Sequence, residues 1–182
     1  MVNEWRSRYK KPVVLDEIAY EGNIQHGWGN ITGEEMVRRF WEAACRGGYA
    51  GHGETYCHEE DILWWSHGGQ LHGESHKRFR FLLDIMEQTP GIGLAPYERS
   101  GWDEICAVPQ EMTCRGSYYL YYYSFMRPSF RDFYFDETTE YEVRVLDTWN
   151  MTLEDRGIYK GRFRIELPGR QYMAVQIRKR RE

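Results

Sequence analysis

The sequence has few cysteines, no long apolar run and no strong charge of one sign. Only 4 of its 182 residues are cysteines, and no C-x-x-C pair occurs, which argues against a dense disulfide scaffold and favours free thiols in a reducing compartment. No apolar run approaches the ~20 residues that span a membrane, and residues 1–11 lack the apolar stretch of a signal peptide. The net charge of −4 argues against bulk nucleic-acid binding. We therefore expect a cytoplasmic protein with no nucleic-acid and no membrane partner.

Aromatic residues are abundant by contrast. They make up 16% of the chain, with 7 tryptophans and 14 tyrosines. They either pack cores and interfaces or offer stacking surfaces for a ligand with an apolar face, such as a sugar. The length allows one domain or two small ones, but it is too short for a complete (β/α)8 barrel of about 250 residues.

Residues 1–90 have the pattern of alternating strands and helices. The unbroken apolar run at Lys11–Glu17 fits a parallel strand buried on both faces. Thr32 and Glu35 have the spacing of a helix-capping box, and Gly47 and Gly48 end that helix. A second strand is predicted at Tyr49–Tyr56, and a second helix is predicted from Ser75, as its N-cap, to about Gln88.

After a linker at 91–102, residues 103–182 predict strands alone. Turn signals, among them Glu154–Gly157, separate about six segments, and apolar and polar residues alternate with period two. This pattern predicts an antiparallel β-sandwich. The fold class is therefore α/β plus all-β. The predicted strand segments are Ile105–Pro109, Gly116–Phe125, Ser129–Asp136, Glu140–Trp149, Gly157–Leu167 and Tyr172–Arg178.

Two carboxylates are the main candidates for chemistry. Glu17 ends the first predicted strand and Glu54 lies at the matching place on the second, so both could face one cavity, as glycoside hydrolysis requires. Each could instead form a surface ion pair or cap a loop. His52 shares a strand face with Glu54, which leaves a metal site open, although hydrogen bonding or loop packing is the plainer interpretation. The other histidines that raise the metal alternative are His58, His67 and His72.

Several stretches resemble the end of an apiosidase-like glycoside hydrolase barrel and the small β-domain that follows it in bacterial relatives. These stretches are Lys11–Glu17, Tyr20–Asn23, Gly27–Asn30, Gly48–Tyr56, Ile62–Ser75, Asp147–Thr152 and Leu167–Ala174. The resemblance implies that residues 11–89 are the seventh and eighth units of a (β/α)8 barrel, preceded by the end of the sixth helix at Val2–Arg8. It also implies that Glu17 is the nucleophile of a retaining glycosidase whose general acid/base ends the fourth strand, outside this chain.

The same resemblance implies a carbohydrate substrate, no cofactor and no metal. It implies sugar contacts, direct or indirect, from Asp16, Tyr20, Trp28, His52, Glu54 and Trp64. Because six barrel strands are missing, we expect a C-terminal fragment or subunit that is inactive alone and is completed by the missing portion or by self-association. Two alternatives stay open: a carbohydrate-binding or structural accessory module, and a metal-dependent enzyme that uses His52 and Glu54.

Overall fold

The computed structural model describes residues 1–59, 69–98 and 101–180, and the backbone of 62–63. These residues form a mixed α/β fold with more strands than helices, and none of the helices is long and apolar enough to cross a membrane. The α-helices are α1 Val2–Tyr9, α2 Gly33–Cys45 and α3 Phe79–Glu87. The strands are β1 Val14–Leu15, β2 Glu21–Gly22, β3 Tyr49–Ala50, β4 Glu54–Cys57, β5 Ile62–Leu63, β6 Leu94–Pro96, β7 Ile105–Pro109, β8 Tyr118–Tyr122, β9 Phe130–Tyr134, β10 Tyr141–Asp147, β11 Thr152–Tyr159, β12 Arg162–Glu166 and β13 Met173–Lys179.

The first half of the chain contains two short parallel strand pairs. β1 pairs with β3, β2 pairs with β4, and β5 adds to β4 in the antiparallel direction. The first strand is thus shorter than the predicted Lys11–Glu17. The prediction that it is buried on both faces is wrong, because Val14 is 62% exposed. Among the described residues β1 has a neighbour, β3, on one edge only, so its outer side stays open.

Helix α2 begins and ends as the sequence predicts. The Thr32 hydroxyl accepts a hydrogen bond from the backbone N–H of Glu35 at 3.2 Å, which satisfies one of the free donors of the first turn. Gly47 then adopts a left-handed φ of 72° just after the last turn. The buried face is centred on Trp41, which has no exposed surface.

Helix α3 begins differently from the prediction. A 3₁₀ turn at Ser75–Arg78 precedes it, and Ser75 is the first residue of that turn instead of the cap of an α-helix. The backbone N–H of Ser75 donates to the carboxylate of Glu21 at 3.0 Å. A side chain from β2 therefore holds the start of this segment.

The second half forms two antiparallel sheets. The larger sheet has the strand order β11-β10-β13-β8-β7-β6, and the smaller one pairs β9 with β12. Strand β7 matches its predicted limits. Leu94–Pro96 lies within the segment that was predicted as a linker, yet it forms β6 and pairs with β7. The division into domains at this point stays a prediction.

The predicted turn at Glu154–Gly157 is wrong. Strand β11 runs through it, and its pairing passes from Val143↔Gly157 to Arg144↔Asp155. Arg156 is the extra residue of a β-bulge, and Gly157 next to it has a positive φ of 97°, which glycine adopts without steric strain. The chain reverses earlier, where Met151 has a φ of 57°.

The larger sheet is packed on both faces. Tyr118, Leu120 and Tyr122 of β8 contact the helices, while Tyr119 and Tyr121 face the smaller sheet. Alternate residues of β8 therefore face opposite sides of the sheet, as the period-two pattern of this segment indicates. Trp41 of α2 packs against Tyr122 with ring centroids 5.6 Å apart. The larger sheet thus supports the helices, and through them the strand pairs β1–β3 and β2–β4.

Candidate active site

A bulge between the two parallel strand pairs presents Asp16 and Glu17. The β1–β3 pairing ends at Leu15↔Ala50 and the β2–β4 pairing begins at Glu21↔Glu54. Five residues, 16–20, therefore lie opposite three, 51–53, and the two extra residues (5 − 3 = 2) push the first segment outward. Both acidic side chains are exposed at this point. The sequence pattern of a strand end does not predict this bulge.

Tyr20 holds Glu17 from the same bulge. Its phenol donates a hydrogen bond to Glu17 Oε1 at 3.1 Å. The Cδ1–Cε1 edge of its ring lies against Gly53, where a Cβ would overlap it. Burial and then the hydrogen bond to Glu17 raise the pKa of Tyr20, so the phenol stays protonated and keeps donating at neutral pH.

Trp28 lies next to Tyr20 and is 42% exposed. The Tyr20 ring meets Trp28 edge-on at 5.8 Å, and His26 stacks on Trp28 with an interplanar angle of 6°. The backbone N–H of Tyr20 also donates to the Trp28 carbonyl at 2.8 Å. The structure therefore brings Glu17, Tyr20 and Trp28 together on an accessible surface.

Glu54 is placed differently from the sequence-based expectation. It begins β4 instead of ending a strand, and its side chain has no exposed surface. Its Oε2 accepts hydrogen bonds from the backbone N–H groups of His72 at 2.8 Å and Gly73 at 2.9 Å. The expectation that Glu17 and Glu54 face one open cavity is wrong, because Glu54 is enclosed by the loop that it binds.

Glu21 is a buried carboxylate that the sequence reasoning missed as a site residue. It is 2% exposed and pairs in register with Glu54. It accepts hydrogen bonds from the backbone N–H groups of Glu74 at 2.8 Å and Ser75 at 3.0 Å, and from Tyr56 Oη at 3.3 Å. These N–H donors lie more than 50 residues further along the chain, so no local spacing marks Glu21. The only sequence signal for Glu21 is its place in Tyr20–Asn23, one of the stretches that carry the family resemblance.

His52 lies between the strand ends and the same loop. Its Nε2 is 3.2 Å from the Ser75 hydroxyl and 3.7 Å from Glu54 Oε1. Burial lowers the pKa of His52, and the Glu54 carboxylate partly offsets this. Glu21, His52 and Glu54 each offer a ligand atom, and these atoms lie within 4.8 Å of one another. The group can hold a cation, and it includes His52 and Glu54, the two ligands that the metal alternative names.

The remaining predicted residues do not join this group. His58 and His72 stack on each other, with ring centroids 4.6 Å apart. Trp64 and His67 lie outside the described residues. The bulge and the buried carboxylate group are nevertheless neighbours, because the Gly53 that supports Tyr20 stands between His52 and Glu54 in the chain.

Comparison with solved structures gives the fold a context. A Bacteroides vulgatus protein that is provisionally named a glycoside hydrolase matches 98% of this chain with a TM-score of 0.84 and 25% identity. This chain resembles part of a glycoside hydrolase. Two further glycoside hydrolases, one of them a family 5 protein from Bacteroides vulgatus, match 97% of it with TM-scores of 0.66 and 0.65. At 13% and 12% identity they support the fold alone.

The match covers only part of each of those proteins. This chain spans 38% of the first structure and 45% of each of the other two. Residues 102–178 also match a family described as Domain of unknown function (DUF5605), which covers less than half of the chain. No curated protein matches.

Proposed function

We propose that this chain is the C-terminal part of a retaining glycoside hydrolase that cleaves O-glycosidic bonds in oligo- or polysaccharides. The observation that carries the proposal is the likeness to the Bacteroides vulgatus protein over 98% of the chain. In this proposal residues 1–90 supply the last two β/α units of a (β/α)8 barrel, in an apiosidase-like arrangement. Residues 91–102 form the linker, and residues 103–182 form a β-sandwich that supports the barrel.

Glu17 is the nucleophile in this proposal. Support comes from its exposure at the carboxyl end of the parallel pair β1–β3, the end at which β/α barrels carry their active sites. Its carboxylate oxygen attacks the anomeric carbon, the bond to the leaving oxygen breaks, and a glycosyl-enzyme forms. The hydrogen bond from Tyr20 orients this carboxylate for the attack.

Aromatic and polar neighbours of Glu17 are the proposed sugar contacts. The exposed part of Trp28 offers an apolar surface to a sugar ring. Asp16 is exposed beside Glu17 and can accept hydrogen bonds from sugar hydroxyls. His52 is a proposed sugar contact from the second predicted strand. Trp64 is also a proposed sugar contact, and only the family resemblance supports it. Glu54 acts indirectly, by holding the loop at His72 and Gly73.

The proposed reaction needs a second carboxyl group besides that of Glu17. A retaining pair is separated by about 5–5.5 Å, and one member must protonate the leaving oxygen and later activate water. Glu54 is unsuited to this role because its side chain is fully enclosed. In this proposal the acid/base ends the fourth strand of the barrel, outside this chain, as the family resemblance implies, and this chain alone is expected to lack turnover.

An apolar surface supports the need for a partner. Val14 on β1 and Tyr49 on β3 are 62% and 65% exposed, although both lie in a parallel strand pair. A groove of about 470 Å³ continues from β3 to the apolar side chains of α2 and α3. Contiguous exposed apolar surface of this kind is typical of an interface. The other β/α units of the barrel are the proposed occupant.

The test uses the assembled enzyme, meaning this chain together with the polypeptide that supplies the other β/α units. Turnover is measured on aryl glycosides and plant-wall oligosaccharides. Glu17→Ala is expected to lower kcat by about 1,000-fold or more. Azide should then restore turnover and yield a glycosyl azide, because it replaces the missing nucleophile. The matched control is Glu154→Ala, at a carboxylate that is 63% exposed on β11. It should leave kcat unchanged.

Full turnover in Glu17→Ala would contradict the assignment of the nucleophile. Sugar binding by this chain without any turnover of the assembled enzyme, and with equal affinity in Glu17→Gln, would instead support the accessory-module alternative. Isothermal titration with the same oligosaccharides distinguishes these outcomes.

A further inference from the structure

Two buried polar atoms beside each other lack hydrogen bonds. Glu54 Oε1 and His76 Nδ1 are 3.4 Å apart, yet neither has a hydrogen-bond partner within the part of the chain that the structure describes. The Glu54 side chain has no exposed surface. Nearly all buried polar groups in proteins are hydrogen-bonded, and an exception of this kind often marks a bound water or ion.

Further donor atoms surround the same carboxylate oxygen. His52 Nε2 is 3.7 Å from Glu54 Oε1, and Glu21, His52 and Glu54 each offer a ligand atom within 4.8 Å of those of the other two. Neither carboxylate forms an ion pair with a lysine or an arginine among the described residues. Within the described ranges, the partners of these two buried carboxylates are backbone N–H groups, the Tyr56 hydroxyl and histidines, an environment that favours a cation.

The donor spacing fits a transition-metal ion. Zinc binds nitrogen and carboxylate oxygen at about 2.0–2.2 Å, so neighbouring ligands of a tetrahedron are about 3.3–3.6 Å apart. Glu54 Oε1 lies 3.4 Å from His76 Nδ1 and 3.7 Å from His52 Nε2, which is near this spacing. We propose that Glu21, His52 and Glu54 bind a divalent transition-metal ion such as Zn²⁺, and that His76, beside Glu54 Oε1, completes the donor set. Two imidazoles with carboxylates favour zinc or cobalt over magnesium or calcium.

The position of the site suggests a structural role. The side chains of His52 and His76 are 19% and 28% exposed, so an ion can enter from the histidine side, with the carboxylates behind it. The ion joins the strand end at His52 and Glu54 to the 3₁₀ turn that carries His76. This role goes beyond the proposed glycoside hydrolysis and does not involve the nucleophile Glu17, although His52 and Glu54 also have proposed roles near the sugar. Its test therefore needs no turnover.

The test is metal binding to the full chain after removal of metal with a chelator. Zn²⁺ is titrated by calorimetry, and Co²⁺ is titrated by visible absorption, which is intense for tetrahedral coordination. We expect one equivalent of each ion. His52→Gln and His76→Gln should each weaken binding by at least about ten-fold. His26→Gln is the matched control, because His26 is exposed on Trp28, away from the carboxylates, and should bind as the parent does.

The proposal is overturned if no stoichiometric ion binds, or if both histidine variants bind as tightly as the His26→Gln control. Circular dichroism of each metal-free variant checks that it is folded. A measurement on the unaltered chain covers the case in which a variant does not fold. In ¹⁵N NMR of the histidine rings, Zn²⁺ should shift the resonances of two histidines, and an unchanged spectrum would contradict the site.

Discussion

Glu21 and Glu54 lie opposite each other on β2 and β4, and both bind the same loop. Glu54 accepts from the backbone N–H groups of His72 and Gly73, and Glu21 accepts from those of Glu74 and Ser75. Four consecutive N–H groups are thus divided between two carboxylates. This arrangement fixes the loop at the strand ends, next to the Gly53 that supports Tyr20.

Glu21→Gln should destabilise the chain markedly. The amide keeps one oxygen but turns an NH₂ group toward backbone N–H donors, which leaves at least one of them unpaired. We expect a loss of about 2–4 kcal/mol in the free energy of unfolding, because charge-assisted hydrogen bonds are worth more than neutral ones. Urea denaturation measures this loss, and the exposed Glu154→Gln should stay within about 0.5 kcal/mol of the parent. An equal effect of the two variants would contradict the clamping role.

Trp41→Ala should destabilise the helices and the larger sheet together. Trp41 is fully buried between α2 and the larger sheet, against Tyr122. Truncation of a buried tryptophan costs about 3–5 kcal/mol, and the melting of both helix and sheet signals should shift together. Trp102→Ala is the matched control, since Trp102 is 90% exposed. Separate unfolding transitions for helices and strands would show that the helices and the sheet unfold independently of each other.

The four thiols should react at different rates. None of the four cysteines forms a disulfide; Cys45 and Cys106 are buried, and Cys57 is exposed. Burial raises the pKa of both buried thiols, that of Cys106 to about 12, so their thiolate is scarce near neutral pH. Alkylation followed by peptide mass spectrometry should label Cys57 first, and Cys45 and Cys106 only after denaturation. Rapid labelling of either buried thiol in the folded chain would contradict this packing.

Glu35 should contribute stability that depends on pH. The hydrogen bond from Arg38 lowers the pKa of Glu35. A lowered pKa in the folded state gives stabilisation that is present above the unfolded pKa of about 4.3 and is lost as the pH falls through the folded value. Because the pair is partly exposed, Glu35→Gln should cost only about 0.5–1 kcal/mol at pH 7. Urea denaturation across pH 3 to 7 should show the difference from the parent shrinking toward low pH. A constant difference would contradict the ion-pair origin.

Local patterns predicted much of the fold. The Thr32 cap, the end of α2 at Gly47, the limits of β7 and the two faces of β8 all follow from neighbouring residues in the chain. The bulge at Arg156 did not follow, because Glu154–Gly157 has the composition of a turn and only pairing with β10 shows that the strand continues.

The candidate site was predictable only in part. Glu17, Tyr20 and Trp28 lie within 12 residues of one another, and the structure does bring them together. The enclosure of Glu54 and the role of Glu21 depend on a loop that returns from a distant part of the chain. No spacing within either strand carries that information.

The nucleophile assignment is tested most directly by trapping the glycosyl-enzyme. The assembled enzyme is incubated with a panel of activated 2-deoxy-2-fluoro glycosides, which slow the release of the covalent intermediate, and the labelled peptide is identified by mass spectrometry. The account predicts time-dependent inactivation with one sugar adduct on the carboxylate of Glu17. Inactivation with the adduct on any other residue, or turnover without an adduct, would contradict it.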